Sequence, residues 1–304
     1  MLNKMIAHTL PLLPKELIWF FSKTYIAGET VADAIRVSRD LNNNGASVTV
    51  DLLGEFITDI EMVSAYREAY LDLIEQFAAS PARGNYSLKP TMFGLLIDPD
   101  KCYAAIHGIV RAAAARDSFV RIDMEDSRCV DLEIALFNKL KAEFPKHVGL
   151  VLQAYLKRTP RDLEELKRSH NAPEAPLNFR LCKGIYVEPP EVALQNMPAI
   201  NRAFIENLDF MLRNDMYVGI ATHDRKLIEK AAQLIAHYGA TTDRYEFQML
   251  YGVTPRLRQR IIAAGHNMRV YVPYGESWFG YATRRLKENP ALVHHLLRAL
   301  LIKG

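Results

Sequence analysis

Two charged residues, Arg180 and Glu246, lie inside runs that otherwise read as apolar β-strand, Phe179-Arg180-Leu181 and Tyr245-Glu246-Phe247. A charge in such a run is costly unless it is paired or bound to a ligand. Each alone reads as half of a structural ion pair. Other strand-like runs, however, carry polar residues at their C-terminal ends: Asp51 and Glu55, Lys89, Asp123 with Glu125 and Asp126, Gln153, Lys183, Thr222 with His223, Gln248 and Tyr271. So many polar groups at corresponding positions point to a site. A second constellation is Tyr281-Ala-Thr-Arg284-Arg285-Leu-Lys-Glu288. On a helix Tyr281 faces Arg284 and Arg285 from one side, and Glu288 faces them from the other. Two guanidinium groups steadied by a carboxylate could clamp a substrate carboxylate bidentately. Taken alone, this segment reads as an exposed helix with routine ion pairs.

Other chemistries lack their signatures. The nine histidines form no H-E-x-x-H, and nothing in their spacing asks for a metal. There is no G-x-S-x-G elbow and no phosphate-binding P-loop. There is no G-x-G-x-x-G, so a dinucleotide would not be held as in a Rossmann domain.

The elements that must position these residues alternate regularly. Apolar, β-branched runs at 47–52, 86–89, 119–123, 148–153, 179–183, 217–221, 245–248 and 268–272 read as strands. Val148-Gly-Leu-Val-Leu152 has the near-continuous apolar character of a strand in a parallel sheet. Amphipathic stretches at 60–77, 99–116, 131–143, 160–168, 201–213, 224–237, 254–264 and 277–287 read as helices. Pro160 and Pro255 each follow a threonine, which suggests a threonine N-cap with proline at the first helical position. Gly239 and Gly265 suit left-handed helix ends. Eight βα units without a Gly-, Pro- or Ser-rich linker predict an α/β fold, one closed (β/α)8 TIM barrel whose interior is otherwise filled with Val, Ile and Leu. Residues 1–45 form a helical N-terminal arm in this reading. Residues 46–304 form the barrel, ending in a helix over 290–303. The active site is expected at the C-terminal ends of the strands.

Composition agrees with an ordinary globular protein: 304 residues, 49% hydrophobic and 24% charged. The net charge of +3, spread along the chain, argues against a dedicated nucleic-acid binder. Three cysteines without a C-x-x-C pair read as reduced, mostly buried thiols of a cytosolic protein. No signal peptide or membrane-spanning run is read. Ile18-Trp19-Phe20-Phe21 is an apolar cluster that either packs on the domain or touches a membrane surface.

From about Asp51 onward the chain resembles proline dehydrogenase in its single-function bacterial form. The motifs that carry the resemblance are Arg180-Leu-Cys-Lys183-Gly184-Ile-Tyr186, Ala221-Thr222-His223-Asp224, Tyr245-Glu246-Phe247-Gln248-Met-Leu-Tyr-Gly252, Val270-Tyr271-Val-Pro273-Tyr-Gly275 and Tyr281-x-x-Arg284-Arg285-x-x-Glu288. Val151-Leu-Gln153-Ala-Tyr155 and Arg121-Ile-Asp123-Met-Glu125 add to it. Val187 and Asp224 depart from the usual pattern, where an aromatic residue and an asparagine are common.

The resemblance implies FAD in a distorted barrel, oxidation of L-proline to Δ1-pyrroline-5-carboxylate, and transfer of electrons to a membrane quinone. It also implies a pyrroline-5-carboxylate dehydrogenase as a partner, and a cytoplasmic protein lying peripherally at the inner face of the cell membrane. Arg284, Arg285 and Lys89 would bind the proline carboxylate, and Tyr271, Tyr281 and Leu250 would wall its ring. Glu288 would pair with the arginines, and Asp123, the acidic catalytic residue, with Lys89. Arg180 would sit at the flavin's reactive edge, with Met124, Gln153, Lys183, Gly184, Ile185, Thr222 and His223 around the cofactor. Two rivals remain at this point: a Schiff-base lyase using Lys183 or Lys89, and a silent barrel that senses proline or a partner.

Overall fold

The computed structural model describes residues 19, 23–170, 172 and 174–282. Its centre is a closed barrel of eight parallel strands in sequence order. The strands are β1 Ser47–Leu52, β2 Asn85–Leu88, β3 Val120–Ile122, β4 Val148–Gln153, β5 Asn178–Cys182, β6 Tyr217–Ala221, β7 Tyr245–Leu250 and β8 Met268–Tyr274. Ser47 to Leu52 pair with Arg269 to Tyr274, and this closes the ring. The helices are α1 Val31–Asn43, α2 Met62–Ala78, α3 Pro99–Ala114, α4 Val130–Glu143, α5 Thr159–Ser169, α6 Met197–Arg213, α7 Arg225–Tyr238 and α8 Pro255–Ala263. A short 3₁₀ helix, Pro90–Phe93, follows β2.

Helix α1 lies within the stretch expected to form an N-terminal arm. A reciprocal capping box starts it: the Thr30 side chain accepts from the Asp33 backbone N–H, and the Asp33 carboxylate accepts from that of Thr30. Trp19 packs against Trp278 with ring centroids 4.7 Å apart. Ile18, Phe20, Phe21, the segment beyond Ala282 and, within it, the helix expected over 290–303 lie outside the described residues.

The two faces of each strand have opposite character. Val48 and Val50, Tyr86 and Leu88, Leu150 and Leu152, and Phe179 and Leu181 belong to one buried apolar cluster with Leu73, Ile106, Phe137 and Phe204 of the helices. Each such side chain contributes about 1.5–3 kcal/mol by leaving water. The alternate residues meet across the barrel and are largely polar. Arg121 on β3 donates to the backbone O (2.7 Å) and Oδ1 (2.5 Å) of Asn178 on β5. Arg180 on β5 reaches back to Ser87 on β2 and to Asp123 just past β3. The expectation of a Val, Ile and Leu interior is therefore corrected. The apolar residues that reveal the strands pack mainly toward the helices. Glycines make room for the long polar chains: a Cβ at Gly149 would stand 2.4 Å from Arg121 Nη1, and one at Gly219 would stand 2.2 Å from Gln248 Nε2.

Of the two expected threonine caps one is corrected and one holds. Thr159 lies inside α5, whose N-cap is Arg158, because the Thr159 hydroxyl donates to the Gln153 carbonyl oxygen at 2.6 Å. Thr254 does cap α8, but in a left-handed conformation (φ +44°) and without a side-chain capping hydrogen bond. Gly239 and Gly265 have positive φ at the ends of α7 and α8 as expected. All three cysteines are free, Cys102 and Cys129 buried and Cys182 half-buried.

Candidate active site

A cavity of about 580 Å³ opens at the C-terminal ends of the strands. Its lining includes every described residue that the family resemblance assigns to the site: Lys89, Asp123, Met124, Gln153, Arg180, Lys183, Gly184, Ile185, Thr222, His223, Leu250, Tyr271 and Tyr281. Of the other polar strand-end residues, Glu55 and Gln248 also line it, and Asp51, Glu125, Asp126 and Glu246 do not. Arg284, Arg285 and Glu288 lie outside the described residues.

Asp123, just past β3, is the hub. Its Oδ1 accepts from Arg180 Nη1 at 2.8 Å and from Ser87 Oγ at 2.5 Å. Its Oδ2 accepts from the Tyr271 hydroxyl at 2.9 Å. The Arg180 guanidinium also lies over the Tyr271 ring, 5.1 Å from its centroid, in a cation–π arrangement. Arg180 Nε donates to Gln248 Oε1 at 2.6 Å, and Nη2 has no acceptor among the described residues.

The expected Lys89–Asp123 pair is present but secondary. Lys89 Nζ lies 3.2 Å from both oxygens of Asp51 and 3.8 Å from Asp123 Oδ2. It also donates to the Tyr271 hydroxyl at 3.3 Å. Burial alone would discharge the ammonium, but the carboxylates of Asp51, Asp123, Glu125 and Glu55 outweigh it and hold Lys89 charged above the ordinary lysine range. Burial pushes the Asp51 carboxyl up to about 6 despite the opposing pull of Lys89. At neutral pH the Lys89 ammonium is therefore charged. Burial likewise raises the Tyr271 phenol well above its usual value, so it remains a hydrogen-bond donor.

The far wall is built by loop and helix starts. Asp224 Oδ1 caps α7 by accepting from the Lys226 backbone N–H, and Oδ2 holds Lys183 Nζ at 3.0 Å. His223 Nε2 accepts from the Leu250 backbone N–H at 3.0 Å, which leaves the proton of the neutral ring on Nδ1. Gly184 has φ +110°, and a Cβ there would stand 2.1 Å from the Tyr155 ring. Only glycine lets the backbone pass so close. Gln153 is oriented by donating Nε2 to the Glu125 carbonyl oxygen at 2.8 Å. Beneath it the Glu125 carboxyl accepts from the Thr91 N–H and hydroxyl, and burial raises it to about 7.

Four contributors had no assigned role in the sequence reading: Ser87, Asp51, Gln248 and Asp224. Ser87 stands two residues before Lys89, so strand alternation places both on the inner face. That was the available signal. Among the described residues no cluster of His, Cys, Asp and Glu could hold a metal, and no helix is long and apolar enough to cross a membrane.

Comparison with known proteins identifies the family and the fold. The family model described as proline dehydrogenase matches residues 34–297. The chain is 36% identical over 278 residues to proline dehydrogenase 2 of Bacillus subtilis (strain 168), covering 91% of this chain and 89% of the relative. It is 31% identical over 296 residues to proline dehydrogenase of Deinococcus radiodurans, covering 95% and 93%. Among solved structures, proline utilization A (PutA) from Bdellovibrio bacteriovorus, inactivated by N-propargylglycine, superposes with a TM-score of 0.82 at 23% identity. That match covers 89% of this chain and 33% of the other, and it speaks to the fold. With the family match spanning most of the barrel and the expected residues gathered in one cavity, the chain belongs to the proline dehydrogenase family.

Proposed function

We propose that this protein oxidises L-proline to Δ1-pyrroline-5-carboxylate at the barrel mouth, with FAD as its cofactor. The observation that carries this reading is the convergence of thirteen expected side chains and backbone segments on one cavity. The residues present fit a flavin. Arg180 Nη2 is a donor without an acceptor among the described residues, Gly184 carries no side chain, and Ile185 is 59% exposed beside polar Lys183, Thr222 and His223. Met124, Gln153, Arg180, Lys183, Gly184, Ile185, Thr222 and His223 would hold it. Bound FAD would supply the two-electron acceptor, taking a hydride from proline C5 at N5 and delivering electrons to a quinone.

The chain's own residues do the rest. Arg284, Arg285 and Lys89 would fix the proline carboxylate, with Glu288 steadying the arginines. Tyr271, Tyr281 and Leu250 would wall the ring and exclude water. The substrate amine must lie deprotonated so that its lone pair can form the C=N bond as the hydride leaves C5. Asp123 holds Arg180 and Tyr271 in place by accepting from both, and Arg180 would offset negative charge that builds up during reduction. The product would pass to a pyrroline-5-carboxylate dehydrogenase. The protein would work in the cytoplasm, peripherally at the inner face of the cell membrane where the quinone resides.

A Schiff-base lyase using Lys89 is disfavoured because a nucleophilic lysine must be neutral, and Lys89 is held charged between carboxylates. Lys183, the other candidate, is ion-paired with Asp224 at 3.0 Å, and borohydride trapping of a substrate on it would revive that reading. The test is to purify the protein and add L-proline anaerobically. A flavin spectrum that bleaches supports the reading, and a colourless protein unable to take up FAD overturns it.

A further inference from the structure

Below the cavity, β7 carries a second polar layer. Glu246 is 4% exposed, and its Oε1 accepts from Arg269 Nε at 2.7 Å and from Gln248 Nε2 at 2.7 Å. Gln248, 5% exposed, passes the contact upward, because its Oε1 accepts from Arg180 Nε at 2.6 Å. Arg269 Nη1 is anchored on the Val48 carbonyl oxygen at 2.8 Å. A chain of hydrogen bonds thus runs from β8 through β7 to Arg180 and Asp123.

The direction of the Gln248 amide is dictated by its neighbours. A carboxylate only accepts and a guanidinium only donates. The NH₂ must therefore face Glu246, and the C=O must face Arg180. Burial opposes ionisation of Glu246, but Arg269 and the Gln248 amide outweigh it and keep the carboxyl below its ordinary value. The space for this arrangement is built in: Gly219 on β6 lies so close that a Cβ there would stand 2.2 Å from Gln248 Nε2. Asp123 grips the guanidinium at Nη1 and Gln248 grips it at Nε, so two contacts define its plane while Nη2 has no acceptor among the described residues.

We propose that Gln248 is a positioning residue for Arg180, held in a single amide orientation by Glu246 and given room by Gly219. The proposal rests on the reading of Arg180 as the cation that stabilises the reduced cofactor. Gln248 would act through Arg180, so the chemical step and the cofactor's reduction potential would respond to it, and proline affinity would not.

Two variants test this in the FAD-loaded protein. Gln248→Leu removes the acceptor for Arg180 Nε. Gly219→Ala leaves every polar group in place and pushes the amide aside with one methyl. The readouts are kcat and KM for L-proline and the flavin reduction potential by spectroelectrochemistry. Both variants should lower kcat by about 10- to 100-fold, as a misplaced electrostatic group does, with KM changed by less than about twofold. In both the potential should move negative, since the reduced, anionic ring loses a well-placed cation. Wild-type kcat and potential in Gly219→Ala, with bleaching intact in the parent protein, would overturn the proposal. So would a lowered kcat with an unmoved potential, which marks a merely structural role. A parent protein that does not bleach with proline overturns the functional reading first, and that failure is distinct from failure of the variants.

Discussion

The Asp123 hub invites one substitution in particular, Asp123→Asn, which keeps shape and volume and changes one oxygen into an NH₂ group. Every neighbour of Asp123 donates: Arg180 Nη1 and Ser87 Oγ to Oδ1, the Tyr271 hydroxyl to Oδ2, with Lys89 Nζ 3.8 Å away. Neither cation has an acceptor to offer an amide. The NH₂ must turn toward Tyr271, whose hydroxyl can reverse and accept, although it already receives from Lys89. Arg180 then keeps a neutral acceptor in place of a charged one, and Tyr271 loses its acceptor. A hydrogen bond to a charged group contributes about 1.5–3 kcal/mol. If that stabilisation is carried into the transition state, kcat/KM for proline falls by about 10- to 150-fold. Anaerobic stopped-flow reduction of the bound flavin would measure it, with the oxidised spectrum confirming that FAD stays bound. A variant that reduces its flavin within about twofold of the parent rate would refute the idea that Asp123 orders the site by accepting from three donors.

Other expectations follow from the same geometry. The raised Glu125 carboxyl keeps a proton in the folded protein that the unfolded chain releases between pH 4.5 and about 7, so folding stability should fall as pH rises through that window, by roughly 3 kcal/mol in all. Denaturant unfolding of Glu125→Gln between pH 4.5 and 8 should show a flatter profile, and parallel profiles would exclude Glu125 as the source. Gly184→Ala should lower Tm and weaken FAD binding in an apoprotein titration, because the position has φ +110° and a methyl would meet the Tyr155 ring; the backbone strain alone is worth about 1–3 kcal/mol. Arg284→Ala and Arg285→Ala should each raise KM for proline strongly while FAD remains bound, since a carboxylate contact is lost; unchanged kinetics in both would mean that the clamp lies elsewhere.

The parts of the barrel that were legible in the sequence are those where one periodicity dominates. Val148–Gln153, Ser47–Leu52 and Tyr217–Ala221 have the bounds expected of them because apolar runs mark their length. Helix starts were harder to read: the Thr159 hydroxyl could serve α5 or the Gln153 carbonyl, and only the folded chain shows that it serves the latter. The mouth residues could be recognised from strand ends together with family motifs. Their partnerships could not. Whether Lys89 leans to Asp51 or to Asp123 is decided by about half an ångström across the barrel, and Ser87 is an ordinary serine until Asp123 and Arg180 are brought beside it.

The division between the two faces of each strand has a consequence for how this protein could be altered. The adhesive that holds barrel to helices is carried by alternate residues such as Val48, Leu150 and Phe179, whereas reactivity is lodged in those between them. A library that varies inward positions such as Val151, Cys182 and Ala221 would therefore explore new substrates on an unchanged scaffold. The two kinds of information are interleaved one residue apart, so they can be edited separately.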